Sequence, residues 1–501
     1  MNFVPANRRR ISLLPLLLVC TLLLPGALFG CKSTEKDPDS ESESEKEKDT
    51  GNYLYTEFGC FALNDHDRCS VIYSGEKEAI VLEKTENDYY EVLPGLDGRR
   101  FALTDIEGGG KLYYYDSGKL NLVAEEAGTA KLSVDGSTLL YTVEDEEDRS
   151  DDLYLYRNGK SEKIAEDIDD QIFFISPDGS AVGYRSDPDM ENTCTGYVRT
   201  NGKTASLGEN VWAIALSDGG KYVYTLESTT DAYSDYIFCV RKGVGGKSVT
   251  LSDGHGSYFL NADGSQIVFF DESGSAMISV NGGEKKRLFA CGSECWPLLP
   301  DSTARTADGE LLGVKSFAGC CFCTYDKLYR IGSDFTAEQV VPEFDIAYMS
   351  ADGKLIAYQE DESLFLLNVG KDTVETKSIV EEGVGDLIGF TADGKKLFYY
   401  DDGETIYCVG TDGKEPTVVA EEAYGEYCLY NGKTLYYIAD GGDVYLSTGE
   451  KGSILTGQWL AADNFWTEGN LLLILDRYYG EESKLFYSDN GKDFDSITVI
   501  D

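Results

Sequence analysis

Beyond about residue 60, apolar positions arrive in short runs separated by polar turns, all the way to the C-terminus. Residues 391–422, TADGKKLFYYDDGETIYCVGTDGKEPTVVAEE, show one period: an Asp-Gly turn, then three apolar runs separated by Gly-containing turns. Runs rich in Tyr, Val, Ile and Phe and bounded by Gly, Asp and Asn read as strands. No amphipathic helix of normal length interrupts them.

The period repeats. LDGRRFAL, SVDGSTLLY, SPDGSAVGY, LSDGGKYVY, NADGSQIVF, TADGELLGV, SADGKLIAY and TADGKKLFY place an Asp at 97, 135, 178, 218, 263, 308, 352 and 393. Successive gaps are 38, 43, 40, 45, 45, 44 and 41 residues. Degenerate copies at Asn431 and Glu468 make ten. An aromatic residue stands six positions on in seven copies: Tyr141, Tyr184, Tyr224, Phe269, Tyr358, Tyr399 and Tyr437. With the run before each Asp-Gly, every unit supplies four short strands. Four-stranded units at this period close radially into a β-propeller, which shields most strand edges.

The S-P-D-G plus apolar-aromatic pattern resembles the TolB-type propeller repeats, a WD-repeat-like family, over about residues 90–501. That resemblance implies an extracytoplasmic binding or assembly module. The expected fold is therefore all-β, a propeller of about ten four-stranded repeats. Ten units, with a partial one before residue 90, exceed the usual roughly four to eight blades. One large ring or two tandem rings fit, a division falling near 290–345, where the unit is most irregular. Early strands pairing with the last blade would close a ring.

Asp in each turn is expected to accept backbone N–H groups two residues on, and Gly to supply the positive φ. Repetition marks Asp97, Asp135, Asp178, Asp218, Asp263, Asp308, Asp352 and Asp393 as structural turns rather than catalytic residues. GK[ST] occurs at Gly159, Gly202, Gly246 and Gly432, but Tyr154, Tyr197, Arg241 and Tyr427 occupy the position where a P-loop needs its first Gly. No G-x-S-x-G is present, and only His66 and His255 offer an imidazole base. No catalytic residue is assigned, and the chain is expected not to be an enzyme.

The N-terminus changes the setting. Arg8, Arg9 and Arg10 precede an uncharged apolar run, Ile11 to Phe29, which ends in Leu28-Phe29-Gly30-Cys31. This resembles the signal and lipobox of bacterial lipoprotein precursors. The resemblance implies cleavage between Gly30 and Cys31, with Cys31 carrying the lipid. Residues 1–30 are then a signal peptide, and 31–51, rich in Ser, Glu, Lys and Asp, a disordered acidic tether. Residues 52–501 form the repeat region. The expected place is the extracytoplasmic face of the cell envelope, held to a membrane through Cys31.

The chain carries 44 Lys+Arg against 89 Asp+Glu, a net charge of −45. Losing residues 1–30, with their three Arg and no acid, takes it to −48. This charge repels nucleic acid phosphates, so nucleic acid is excluded as a partner, and it favours cations or cationic partners. Eleven cysteines remain beyond Cys20 and Cys31, an odd number. CGSEC (Cys291, Cys295) and GCCFC (Cys320, Cys321, Cys323) leave open free thiols, disulfides or a thiolate metal site. Cys60–Cys69 and Cys408–Cys428 are further candidate bridges. Acidic loops at Ser186 and Asn64 do not continue into an EF-hand. No metal or cofactor is expected, calcium and a cysteine-bound metal lacking support.

The function that fits is a lipid-anchored binding or scaffolding propeller for a protein, peptide or glycan. Two alternatives stay open: a glycan-active hydrolase or lyase with carboxylates from different blades in the central funnel, and an accessory subunit of an envelope transport or assembly complex.

Overall fold

The alternation of apolar and polar positions is realised as strands throughout. A computed structural model describes residues 52, 60–64, 68–73, 79–83, 89–95, 100–105, 109–144, 150–186, 195–228, 236–253, 257–292, 295–300, 303, 311–370, 374–401, 403–421, 423, 427–439, 443–455, 462–468, 471–476 and 483–499. Among these residues there are 42 strands, and the only helical turn is the three-residue Asp218–Gly220.

The strands form antiparallel meanders, named blades 1 to 11 in chain order. Blade 1 (60–83) has three strands, and blade 2 (90–127) has four. Blades 3 (130–168), 4 (173–209) and 5 (211–252) are joined into one eleven-stranded sheet. They join because the strand Lys160–Ile175 pairs with its predecessor through its first half and its successor through its second. The sheet passes from blade 4 to blade 5 through a single parallel pair, Thr195 with Val211. Blades 6 (258–290), 7 (296–341), 8 (346–380), 9 (386–420), 10 (427–454) and 11 (462–499) are separate four-stranded sheets. The chain is an all-β propeller of four-stranded repeats.

Consecutive blades share apolar cores. Blade 1 packs on blade 2 around Val71, Tyr90 and Phe101, and the succession continues blade by blade. One core runs through blades 6, 7 and 8 without a break across residues 290–345. Ile72 of blade 1 packs against Leu471, Leu473, Leu485 and Tyr487 of blade 11, so the succession returns to its start. Among the described residues no early strand pairs with the last blade, contrary to expectation. Blade 11 has four strands of its own, and head meets tail by side-chain packing.

A cross-strand aromatic stack recurs between the second and third strands. Tyr141 faces Tyr154, Tyr184 faces Tyr197, Tyr358 faces Phe365, Tyr399 faces Tyr407 and Tyr437 faces Tyr445. Ring centroids lie 5.2–5.5 Å apart and the planes within 20° of parallel. Directly opposed residues on one face of a sheet bring their rings into contact in this way.

Blade 7 is irregular because a long insertion separates its first strand, Trp296–Leu298, from its second, Cys321–Cys323. The insertion runs along the first turn of blade 6, where the Ala262 N–H donates to the Val314 carbonyl (2.9 Å) and Asn261 Nδ2 to the Lys315 carbonyl (3.0 Å). It also holds Asn52. The Lys315 N–H donates to the Asn52 carbonyl (2.8 Å), the Ser316 N–H to Asn52 Oδ1 (3.0 Å), and Asn52 Nδ2 to the Ser316 carbonyl (2.5 Å).

Candidate functional site

The turn between the first and second strands of a blade is a small hydrogen-bonded unit. In blade 4, the Ser176 hydroxyl donates to Asp178 Oδ1 (2.6 Å) and accepts the Ala181 N–H (2.9 Å). Asp178 Oδ1 also accepts the Ser180 N–H (3.1 Å), and Gly179 has φ +64°. The arrangement recurs with Ser133 and Asp135, Ser350 and Asp352, and Thr391 and Asp393. Asn261 replaces the hydroxyl beside Asp263. Asp97 and Asp308 lie outside the described residues.

Asp218 differs. In blade 5 Ser217 is followed at once by Asp218, with no residue between as Pro177 stands in blade 4. The Ser217 hydroxyl still accepts the N–H five residues on, at Tyr222 (2.8 Å), and the Gly220 N–H reaches the Ser217 carbonyl (2.8 Å). Gly219 therefore occupies the usual Asp place, and Asp218 stands where other blades have Val134, Pro177, Ala262, Ala351 and Ala392. The expected equivalence of Asp218 with the other turn aspartates is corrected by one residue.

The same offset moves Tyr224. A shift of one residue turns a strand side chain to the opposite face. Thr225, opposite Cys239, takes the stacked-aromatic position. Tyr184 packs toward the preceding blade, whereas Tyr224 packs toward the following one and donates its hydroxyl to the Gly264 carbonyl (2.9 Å).

Freed from its own turn, Asp218 meets its neighbours. The Asp178 N–H donates to Asp218 Oδ1 (3.1 Å), and the Gly219 N–H donates to Asp178 Oδ2 (3.1 Å). On the other side, the Asp218 N–H donates to the Asp263 carbonyl (3.0 Å), while the Asp135 N–H donates to the Pro177 carbonyl (3.1 Å). Hydrogen bonds thus link four successive turns and gather Asp135, Asp178, Asp218 and Asp263 on one rim. Burial, followed by the negative charges of Asp178, Asp263 and Asp135, raises the Asp218 carboxyl to about 7. Asp218 and Asp263 nevertheless keep solvent access. Burial also opposes the charge on Asp178, but hydrogen bonds from Ser176, Ser180 and Gly219 outweigh it and hold that carboxyl below its usual range.

The cysteine-rich part of blade 7 is core. Cys295, Cys320, Cys321 and Cys323 are buried, and Cys291 packs against them. Burial pushes the Cys321 and Cys323 thiols up to about 12, and those of Cys291 and Cys295 also rise. Thiols held protonated this way are poor metal ligands and nucleophiles. No disulfide joins Cys60 to Cys69 or Cys408 to Cys428, which corrects both candidate bridges. Cys60 stands opposite Tyr73 and Cys69 opposite Asn64, while Cys408 pairs with Phe398 and Cys428 with Tyr436. Among the described residues, no three His, Cys, Asp or Glu side chains converge as a metal site would require.

Gly30, Cys31, His66 and His255 lie outside the described residues, as do the expected signal and the whole tether. No helix among the described residues is long and apolar enough to cross a membrane.

No family model matches the chain, and no curated protein does. Solved structures with some likeness include TolB from Acinetobacter baumannii, 17% identical, at a TM-score of 0.29. The match covers 46% of this chain and 63% of that one, less than two thirds of its length. The GH74 xyloglucanase from Xanthomonas campestris is 11% identical over 89% of this chain and 84% of its own, at a TM-score of 0.30. The tricorn protease is 11% identical over 82% of this chain and 58% of its own, at 0.26. The fold rests on the strand topology described above.

Proposed function

We propose that the protein is a lipid-anchored, extracytoplasmic binding module whose aspartate rim takes a positively charged segment of a peptide or protein partner. The observation that carries this reading is Asp218, a solvent-reachable carboxyl raised to about 7 by burial and by Asp178, Asp263 and Asp135. Carboxylates that repel one another lower their energy when a cation arrives, and the net charge of −45 draws such a partner in from a distance. The anchor at Cys31 rests on the Arg8–Arg10 cluster, the apolar run and Gly30-Cys31. Service as a subunit of an envelope transport or assembly complex is one form of this role.

The test uses the secreted chain and a folded basic protein, cytochrome c, as probe. Affinity should rise as pH passes upward through about 7, because deprotonation of Asp218 adds charge to the rim. The step should vanish in D218N. Equal pH dependence in wild type and D218N would sink the rim as the binding surface. Mass spectrometry of the mature N-terminus tests the anchor, and an unmodified Cys31 would remove it.

A glycan-active enzyme is the second reading, favoured by the divergent proton affinities of Asp178 and Asp218, one carboxyl lowered and its neighbour raised. Against it, the Asp178 carboxylate already accepts the Ser176 and Ser180 hydroxyls and the Ser180 and Gly219 N–H groups. A base or nucleophile so engaged has little capacity left for substrate. Release of reducing ends from a polysaccharide panel, abolished in D218N, would establish the enzyme instead.

A further inference from the structure

Seven large apolar side chains are strongly exposed among the described residues: Val81, Tyr89, Leu122, Trp296, Tyr325, Val418 and Ile454. Val81, Leu122, Val418 and Ile454 sit singly on third or fourth strands of their blades, which is ordinary surface. Trp296 and Tyr325 differ because they touch each other. Their ring centroids lie 5.7 Å apart at an interplanar angle of 89°, with 41% and 68% of each residue exposed.

Their position follows from the topology of blade 7. Trp296 begins the first strand, and Tyr325 lies in the turn after Cys323, the residue opposite Trp296. That end of the blade is opposite the one bearing the aspartate turns, so the two sites lie on opposite faces of the propeller.

We infer that Trp296 and Tyr325 form a two-walled aromatic corner that takes the ammonium group of a lysine side chain in a basic peptide. The two ring planes stand at 89°, and an ammonium group lodged in the angle between them is held by its attraction to the ring quadrupoles. The charge around the corner selects the occupant. Asp326 is exposed beside Tyr325, and Lys327 Nζ lies 3.8 Å from its carboxylate. The corresponding turns of the flanking blades carry Asp271 and Glu272 on one side and Asp361 and Glu362 on the other. A cation is favoured in such a field, and an anionic or purely apolar ligand gains nothing from it.

The experiment titrates the secreted chain with a (Gly-Lys)4 peptide and follows the Trp296 fluorescence, isolated by difference from W296F. Saturable quenching is expected, weakened about fivefold or more in Y325A and retained in D218N. The D218N arm separates this corner from the aspartate rim, so either can fail alone. The same peptide with acetylated lysines should leave Trp296 unchanged. Far-UV circular dichroism checks the fold of both aromatic variants. The inference is overturned if the lysine peptide leaves Trp296 unaffected, if the acetylated peptide quenches equally, or if cellohexaose quenches where the lysine peptide does not.

Discussion

At the scale of single residues, the repeat's turn chemistry makes definite demands. Ser176 is buried, and its hydroxyl both donates to Asp178 and accepts the Ala181 N–H. Ser176→Ala leaves that N–H unsatisfied and should cost about 1–3 kcal/mol, read as a lowered urea midpoint. Asp218 has the opposite character. Its folded carboxyl titrates at about 7, against about 3.9 in an unfolded chain. The folded protein therefore holds a proton that the unfolded chain has released, and the stability present at low pH is lost as pH rises through 7. Between pH 5 and 8 the thermal midpoint of wild type should fall, and that of D218N should fall less. Asn at 218 keeps an oxygen for the Asp178 N–H, so the difference reports charge. Asp178 behaves in reverse, its contribution being lost only as pH drops through its lowered range.

At the scale of strands and blades, the stacked ring pairs are the repeating unit of sheet stability. A double-mutant cycle on Tyr399 and Tyr407, each changed to Leu, should give a coupling of about 0.5–1.5 kcal/mol by denaturant unfolding. The aromatic six residues after Asp was readable in the sequence, because a period of 38–45 residues repeats it often enough to stand out. Its partner was not readable, since pairing depends on the length of the intervening turn. The slip at Asp218 was written in the chain as Ser-Asp in place of Ser-x-Asp, but alignment on Asp-Gly conceals it. Only the N–H accepted by Ser217 shows which residue fills which place. The rim was illegible for a different reason. Asp135, Asp178, Asp218 and Asp263 are some forty residues apart in sequence, and only the stacking of successive turns brings them together. Likewise, the cysteines of blade 7 drew notice as chemistry, yet burial makes them packing.

At the scale of the whole molecule, blades 1 and 11 depend on each other without sharing a sheet. Leu473 is fully buried against Ile72, so Leu473→Ala should cost about 2–5 kcal/mol. Hydrogen exchange should accelerate together in blades 1 and 11, while blade 6 keeps its protection. Acceleration confined to blade 11 would show that the head-to-tail core does not couple them. Asn52 adds a directional consequence. It is clasped by Lys315 and Ser316, beside the first turn of blade 6, on the same side as the aspartate rim. Asn52 is therefore fixed on that side. Trp296 and Tyr325 lie at the opposite end of their blade, so Asn52 shares a side with the carboxylates and the exposed aromatic pair has the other side to itself.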